Sequence, residues 1–291
     1  MTSPSAPSRP GAPRRATRRT AKHRQTRVAL ALAGGGPLGA IYEIGALCAL
    51  SDSLQGLDFN HLDHYIGVSA GGFIAAGLAN GLSPRQLCES FIEDRPTDEN
   101  FDPSWLMKPA WSELGGRLQR LPGLLGSALW AWGVQRKPLA HALERVGAAL
   151  PTGVLDNEAI HLKLEQLFSR AGRSNDFRQL RARLTLVATE LDTGDAAPFG
   201  RPGWDHVPIS RAVQASAALP GLFPPVQING KHYVDGALKK TLHATVALEE
   251  GIDLLLCLNP LVPFHADPKA RQQQRIPSLV EGGLPAVMSQ T

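Results

Sequence analysis

Val28-Ala29-Leu30-Ala31-Leu32-Ala33-Gly34-Gly35-Gly36-Pro37-Leu38-Gly39 decides how this chain folds. An uncharged apolar run of this kind is what a strand buried on both faces requires, as in a parallel sheet. The glycines turn the chain at the end of that strand, and the spacing predicts an apolar helix from about Leu38 to Leu50. Strand, glycine turn and helix start together form the opening unit of an α/β sheet.

The pattern continues outward from this unit. His64 to Val68 reads as a second strand, ending in Gly67-Val68-Ser69-Ala70-Gly71, and Ala70 to Asn80 as a helix of small apolar residues. Ser83 as N-cap and Pro84 in the first turn open another helix through about Asp94. Residues 95–137 hold Trp105, Trp111, Trp130 and Trp132 among prolines and glycines, and are expected to form a cap outside the sheet. Helices are expected at about 138–150 and 157–171, a strand at Leu184 to Thr189, and a helix from Ser210 to Ala218 stopped by Pro220-Gly221. Val226-Gln227-Ile228 and Lys231-His232-Tyr233-Val234 flank Asn229-Gly230, a strong hairpin signal. A helix at about 241–250 and a strand from Asp253 to Leu258 complete an alternation that predicts a mainly parallel sheet covered by helices on both faces.

With 291 residues and 43% hydrophobic content, one large α/β domain with a small cap is expected. Eight of the 30 basic residues and none of the 26 acidic ones fall within residues 1–27, so the rest of the chain is mildly acidic. Residues 1–26 are therefore read as a disordered basic tail and 27–291 as the folded domain. A secretory signal is not expected, because the apolar run is short and flows straight into the glycines. Cys48, Cys88 and Cys257 are scattered, which suits a reduced cytoplasmic protein without disulfides or metal-ligand spacing. The apolar stretch Leu121 to Val134 is broken by Pro122-Gly123 and falls short of the roughly 20 residues that span a bilayer.

Three motifs bear on chemistry. The glycine segment fits G-x-G-x-x-G, which also serves dinucleotide binding, but Asp58 and Asp63 precede the second strand where that use wants an acid at its end. Gly67-x-Ser69-x-Gly71 has the form of a nucleophile elbow, a serine on a sharp strand-to-helix turn whose neighbours must be small. At that helix N-terminus the partial positive charge favours negative charge developing on the serine oxygen. A serine needs a base, and Asp235 at the end of the hairpin strand, followed by Gly236 and Ala237, is one candidate. His243 and His265 follow it and leave a triad open. His64, His141, His161 and His206 have no partner pattern, and Asp192 with Asp195 reads as a turn around Thr193-Gly194.

As a set, the glycine loop, the elbow and Asp235-Gly236-Ala237 resemble the patatin-like phospholipase family. Further matches are Val187-Ala188-Thr189-Glu190-Leu191-Asp192-Thr193-Gly194, Ala215-Ser216-Ala217-Ala218-Leu219-Pro220 and Phe223-Pro224-Pro225-Val226. The resemblance spans about residues 27–260. It implies a three-layer α/β/α fold and a catalytic Ser69–Asp235 dyad without histidine, with the amides of Gly34, Gly35 and Gly36 as oxyanion hole and Gly39, Gly67, Gly71, Gly236 and Ala237 as motif residues. It also implies a fatty-acyl ester substrate, such as a phospholipid or lysophospholipid, and neither metal nor organic cofactor.

No nucleic acid partner is expected. The expected location is cytoplasmic, with peripheral contact to a membrane surface. In residues 105–132 the leucines and tryptophans recur mostly every three or four positions beside Arg117 and Arg120, which suits an interfacial helix, although packing on the core is the other reading. The family usually carries Arg or Lys where this chain has Leu38, which prompts an alternative: a weakly active lipid-binding or regulatory protein on the same fold.

Overall fold

The computed structural model describes residues 26–93, 153 and 155–261. The basic tail through residue 25, the cap at 95–137, the helix at 138–150 and His265 lie outside the described residues. Strand β1 (Val28–Leu32) leads into helix α1 (Gly36–Ser53), and β2 (His64–Val68) into α2 (Ala70–Ala79) and α3 (Pro84–Phe91). Then come α4 (Glu158–Phe168), β3 (Arg183–Glu190), β4 (Ala196–Phe199), α5 (Ile209–Ser216), β5 (Val226–Ile228), β6 (Lys231–Asp235), α6 (Thr245–Leu248) and β7 (Leu254–Leu258).

All seven strands share one sheet, in which β7, β1, β2 and β3 lie parallel in that order. β4 and β6 join β3 antiparallel, and among the described residues β5 pairs only with β6. β2 is buried at every residue, and β3 at every residue after Arg183, which is why neither shows polar alternation. Leu30 and Leu32 point into a core shared with α1 to α5, whereas Ala29 and Ala31 face a smaller cluster with Val246 and Ala247 of α6. Helices on both faces make the three expected layers. Each fully buried leucine in the larger cluster contributes about 1.5–3 kcal/mol by leaving water.

Local signals account for most ends. Ser83 and Gln86 form a reciprocal capping box that starts α3. Asn229 and Gly230 both have positive φ, 51° and 80°, and close the β5–β6 hairpin. Two expectations need correction. β4 is a strand that was not expected, just after the expected turn at Asp192 to Asp195, and the helix expected at 241–250 shrinks to Thr245–Leu248. Among the described residues no helix is long and apolar enough to cross a membrane.

Candidate active site

The sheet pairing brings two distant chain ends together. Leu186 and Val187 of β3 pair with both β2 and β4, so those strands lie on opposite edges of β3. Ala188 and Thr189 pair with both β4 and β6, so β6 shares the edge used by β2. β2 runs parallel to β3 and β6 antiparallel, and their C-terminal ends meet head to head where Val187 gives way to Ala188. Val68 stands opposite Val187, and Asp235 opposite Ala188. The residue after Val68 is Ser69, and its Oγ donates to Asp235 Oδ2 at 2.6 Å.

Ser69 has φ 51° and ψ −122°, a conformation of the kind that costs a side-chain-bearing residue about 1–3 kcal/mol. Its surroundings hold it there. A Cβ on Gly67 would come within 2.6 Å of Gly71 O and Gly72 Cα, and one on Gly71 within 2.6 Å of Ala33 O. The elbow therefore closes only with glycine at both positions. The Ser69 amide donates to Ser216 Oγ at 2.9 Å, and Ser216 Oγ donates onward to Val187 O at 2.6 Å. Ser216 is fully buried. Its hydroxyl thus ties the Ser69 turn to β3, the strand along which Ser69 and Asp235 meet.

Asp235 is 3% exposed. Burial raises its carboxyl above the ordinary value, opposed by the bonds from Ser69 and from the Ala237 amide, which reaches Oδ1 at 2.8 Å. The Asp235 amide donates to Ala218 O at 3.0 Å. Gly236 is required sterically, since a Cβ there would lie 2.1 Å from Val187 O. Both carboxylate oxygens are thus engaged without an imidazole. His243 is buried, its Nε2 has no hydrogen-bond partner among the described residues, and burial lowers its pKa.

The glycine loop lies against the pair. A Cβ on Gly34 would come within 2.9 Å of Ala237 Cβ and 3.3 Å of Ser69 Cβ. Gly34, expected as an oxyanion donor, spends its amide on Thr241 O at 3.0 Å. The amides of Gly35 and Gly36 make no hydrogen bond to another described residue. They stand at the start of α1, where first-turn N–H groups have no intrahelical partner. Gly36 adopts φ 59°, and Gly35 and Gly39 leave room for Pro260. Leu38, one turn in, is 71% exposed.

The other candidates lie elsewhere. Asp63 Oδ2 accepts the Val28 amide at 2.8 Å at the start of β1, and Asp58 bonds to His61 and Asn60. Both brace the end of the sheet opposite the glycine loop, away from any ribose that loop would present. Asp195 pairs with Lys239 beside a Gly194 turn. Among the described residues no group of three or more His, Cys, Asp or Glu side chains could hold a metal. The tether through Ser216 was missed at the sequence level. Its only signal there is a hydroxyl inside the small-residue run Ala215 to Ala218.

The chain is similar to several known proteins. VipD from Legionella pneumophila matches 86% of this chain and 52% of its own, at 16% identity and a TM-score of 0.40. The type III effector ExoU matches 85% and 50%, at 20% identity and 0.37. ExoU of Pseudomonas aeruginosa in complex with SpcU matches 68% and 38%, at 20% identity and 0.29. The chain thus spans about half the length of these proteins, or less. The family model described as Patatin-like phospholipase matches residues 30–248. Three quarters of the sequence fits it, and the chain belongs to the patatin-like phospholipase family.

Proposed function

We propose that this protein is a serine hydrolase of fatty-acyl esters that works through a Ser69–Asp235 dyad. The observation that carries the reading is the 2.6 Å hydrogen bond from Ser69 Oγ to Asp235 Oδ2, with no histidine between them. Asp235 takes the Ser69 proton as Oγ attacks the ester carbonyl, and the negative charge moves to the carbonyl oxygen. The amides of Gly35 and Gly36 stabilise that oxyanion; each such donor is worth about 10²–10³ in rate. The alcohol leaves with the proton from Asp235 as the carbonyl re-forms, giving an acyl-serine. Water then attacks the acyl-serine, giving its proton to Asp235, and the fatty acid departs as Ser69 is reprotonated. The burial that raises the Asp235 pKa makes it a better base than a carboxylate in water.

A weakly active lipid-binding protein on the same fold is the second reading. One observation favours it: the exposed Leu38 beside the loop, where the family usually has a cation. A fluorophosphonate probe tests both. The hydrolase should be labelled at Ser69 and should cleave long-chain acyl esters, and Ser69→Ala should lose both while remaining folded. Labelling that persists in Ser69→Ala excludes the nucleophile; a wild-type protein that neither labels nor turns over supports the binding reading.

A further inference from the structure

Helix α1 is packed against expectation. Its outward face carries Leu38, Ile41 and Tyr42, all exposed, while Glu43, its only carboxylate before Asp52, is fully buried. Simple amphipathic packing would do the reverse. The buried carboxyl has one partner: Glu43 Oε1 accepts the Ala33 amide at 2.8 Å, and Oε2 is enclosed without a hydrogen bond.

Ala33 is the residue before the glycine loop. Its amide is shared with Leu258 O at 3.1 Å, and its carbonyl accepts the Gly71 amide at 3.2 Å. One residue thus joins α1, β7 and the nucleophile elbow, and Glu43 is its only side-chain ligand among the described residues. A buried carboxyl with half its capacity unmet is costly, and a leucine of similar volume would cost less there. The task that leucine cannot do there is accepting the Ala33 amide.

We propose that Glu43 is a positioning residue for the glycine loop, holding the Ala33 peptide and through it the amides of Gly35 and Gly36 in register with Ser69. The inference rests on the hydrolase reading above. Burial pushes the Glu43 carboxyl up to about 8, with the Ala33 bond opposing, so at neutral pH it is held as the acid. Among the described residues no charged side chain offsets its ionisation. β1 and α2 contain no ionisable side chain, β7 only Cys257, and on α3 Arg85 pairs with Glu89 and with Glu93 just beyond the helix. Burial raises the Asp235 carboxyl too, opposed by its bonds from Ser69 and Ala237. In alkaline solution an ionised Glu43 draws water toward Oε2 and loosens the Ala33 junction.

The test compares Glu43→Gln, which keeps an acceptor, with Glu43→Leu, which does not. Four readouts are needed: kcat and KM on a soluble short-chain ester, the pH profile of kcat, fluorophosphonate labelling of Ser69, and hydrogen exchange of the peptide spanning residues 30–38. Glu43→Leu should lose about tenfold or more in kcat with KM within about twofold, label more slowly, and exchange faster at the loop, the pattern of lost transition-state stabilisation. Glu43→Gln should recover most of kcat and lack the decline that the wild-type protein shows above about pH 8. Equal kcat in wild type and Glu43→Leu, or an alkaline decline unchanged in Glu43→Gln, overturns the proposal while leaving the dyad standing. Absence of Ser69 labelling in the wild-type protein removes the dyad, and the proposal with it.

Discussion

Ser216→Ala tests how far the proposed nucleophile depends on a fully buried residue behind it. The substitution removes one oxygen and leaves two buried groups without partners, the Ser69 amide and the Val187 carbonyl. Each such loss costs about 1–3 kcal/mol, and some relaxation is available, so a destabilisation of about 2–4 kcal/mol follows. Against a typical total of about 5–15 kcal/mol this leaves a folded protein. The turn at Ser69 also loses the bond that fixes its amide in a positive-φ conformation. Displacement of a reacting atom by 1 Å costs on the order of 10²-fold, so a fall in kcat of ten- to a hundredfold is expected. Urea denaturation monitored by circular dichroism gives the first quantity, and ester turnover at saturating substrate gives the second. A loss under about 0.5 kcal/mol with unchanged kcat would refute the tether argument, because surface-like changes of that size need no buried bond. Lowered stability with full kcat would show that Ser216 supports the sheet and not the nucleophile.

Two further outcomes concern titration. Asp235 must be ionised to act, and its pKa is raised by burial, so activity should fall on acidification at a pH above the ordinary carboxylate value of 3.8; Asp235→Asn should be inactive across the range, whereas His243→Ala should keep kcat within about tenfold. A His243→Ala protein as inactive as Ser69→Ala would restore a triad. Glu43, raised from 4.5 to about 8, gives stability that is fully present below about pH 4.5 and is lost as pH rises through 8. That loss is up to roughly 5 kcal/mol at about 1.4 kcal/mol per unit, and melting temperatures of Glu43→Gln should be correspondingly flatter from pH 5 to 8.5. A wild-type melting curve already flat over that interval would contradict the burial of the carboxyl.

The sequence was most legible where chemistry is local. The β1–glycine–α1 unit, the Gly67 to Gly71 elbow and the Asn229-Gly230 hairpin each depend on residues within a few positions of one another, and each stands where expected. β4 was hidden because Pro198 sits inside it; β4 pairs only with β3, so the missing amide falls on its free edge, where proline is tolerated. The helix expected at 241–250 is short because Thr241 instead carries its carbonyl to the Gly34 amide. That same bond removes Gly34 from the donors the glycine pattern suggested. Ser216 and Glu43 escaped because their partners, Ser69 and Val187 in one case and Ala33 in the other, come together only when helices dock on the sheet. No spacing rule encodes a bond from residue 216 to residue 69.

If Ser69 and Asp235 act as the proposed dyad, the head-to-head meeting of β2 and β6 also governs when the molecule becomes chemically competent during synthesis. Ser69 and Asp235 are separated by 166 positions, and the hairpin that delivers the aspartate is made long after the elbow. A nascent chain that has completed β1, α1, β2 and α2 already contains the elbow, yet it has no base beside it. Contacts of such long sequence separation form late and slowly. Under the proposed dyad, hydrolytic capacity therefore arrives only when the β5–β6 hairpin has joined β3, and a fragment lacking that hairpin has no carboxylate beside Ser69.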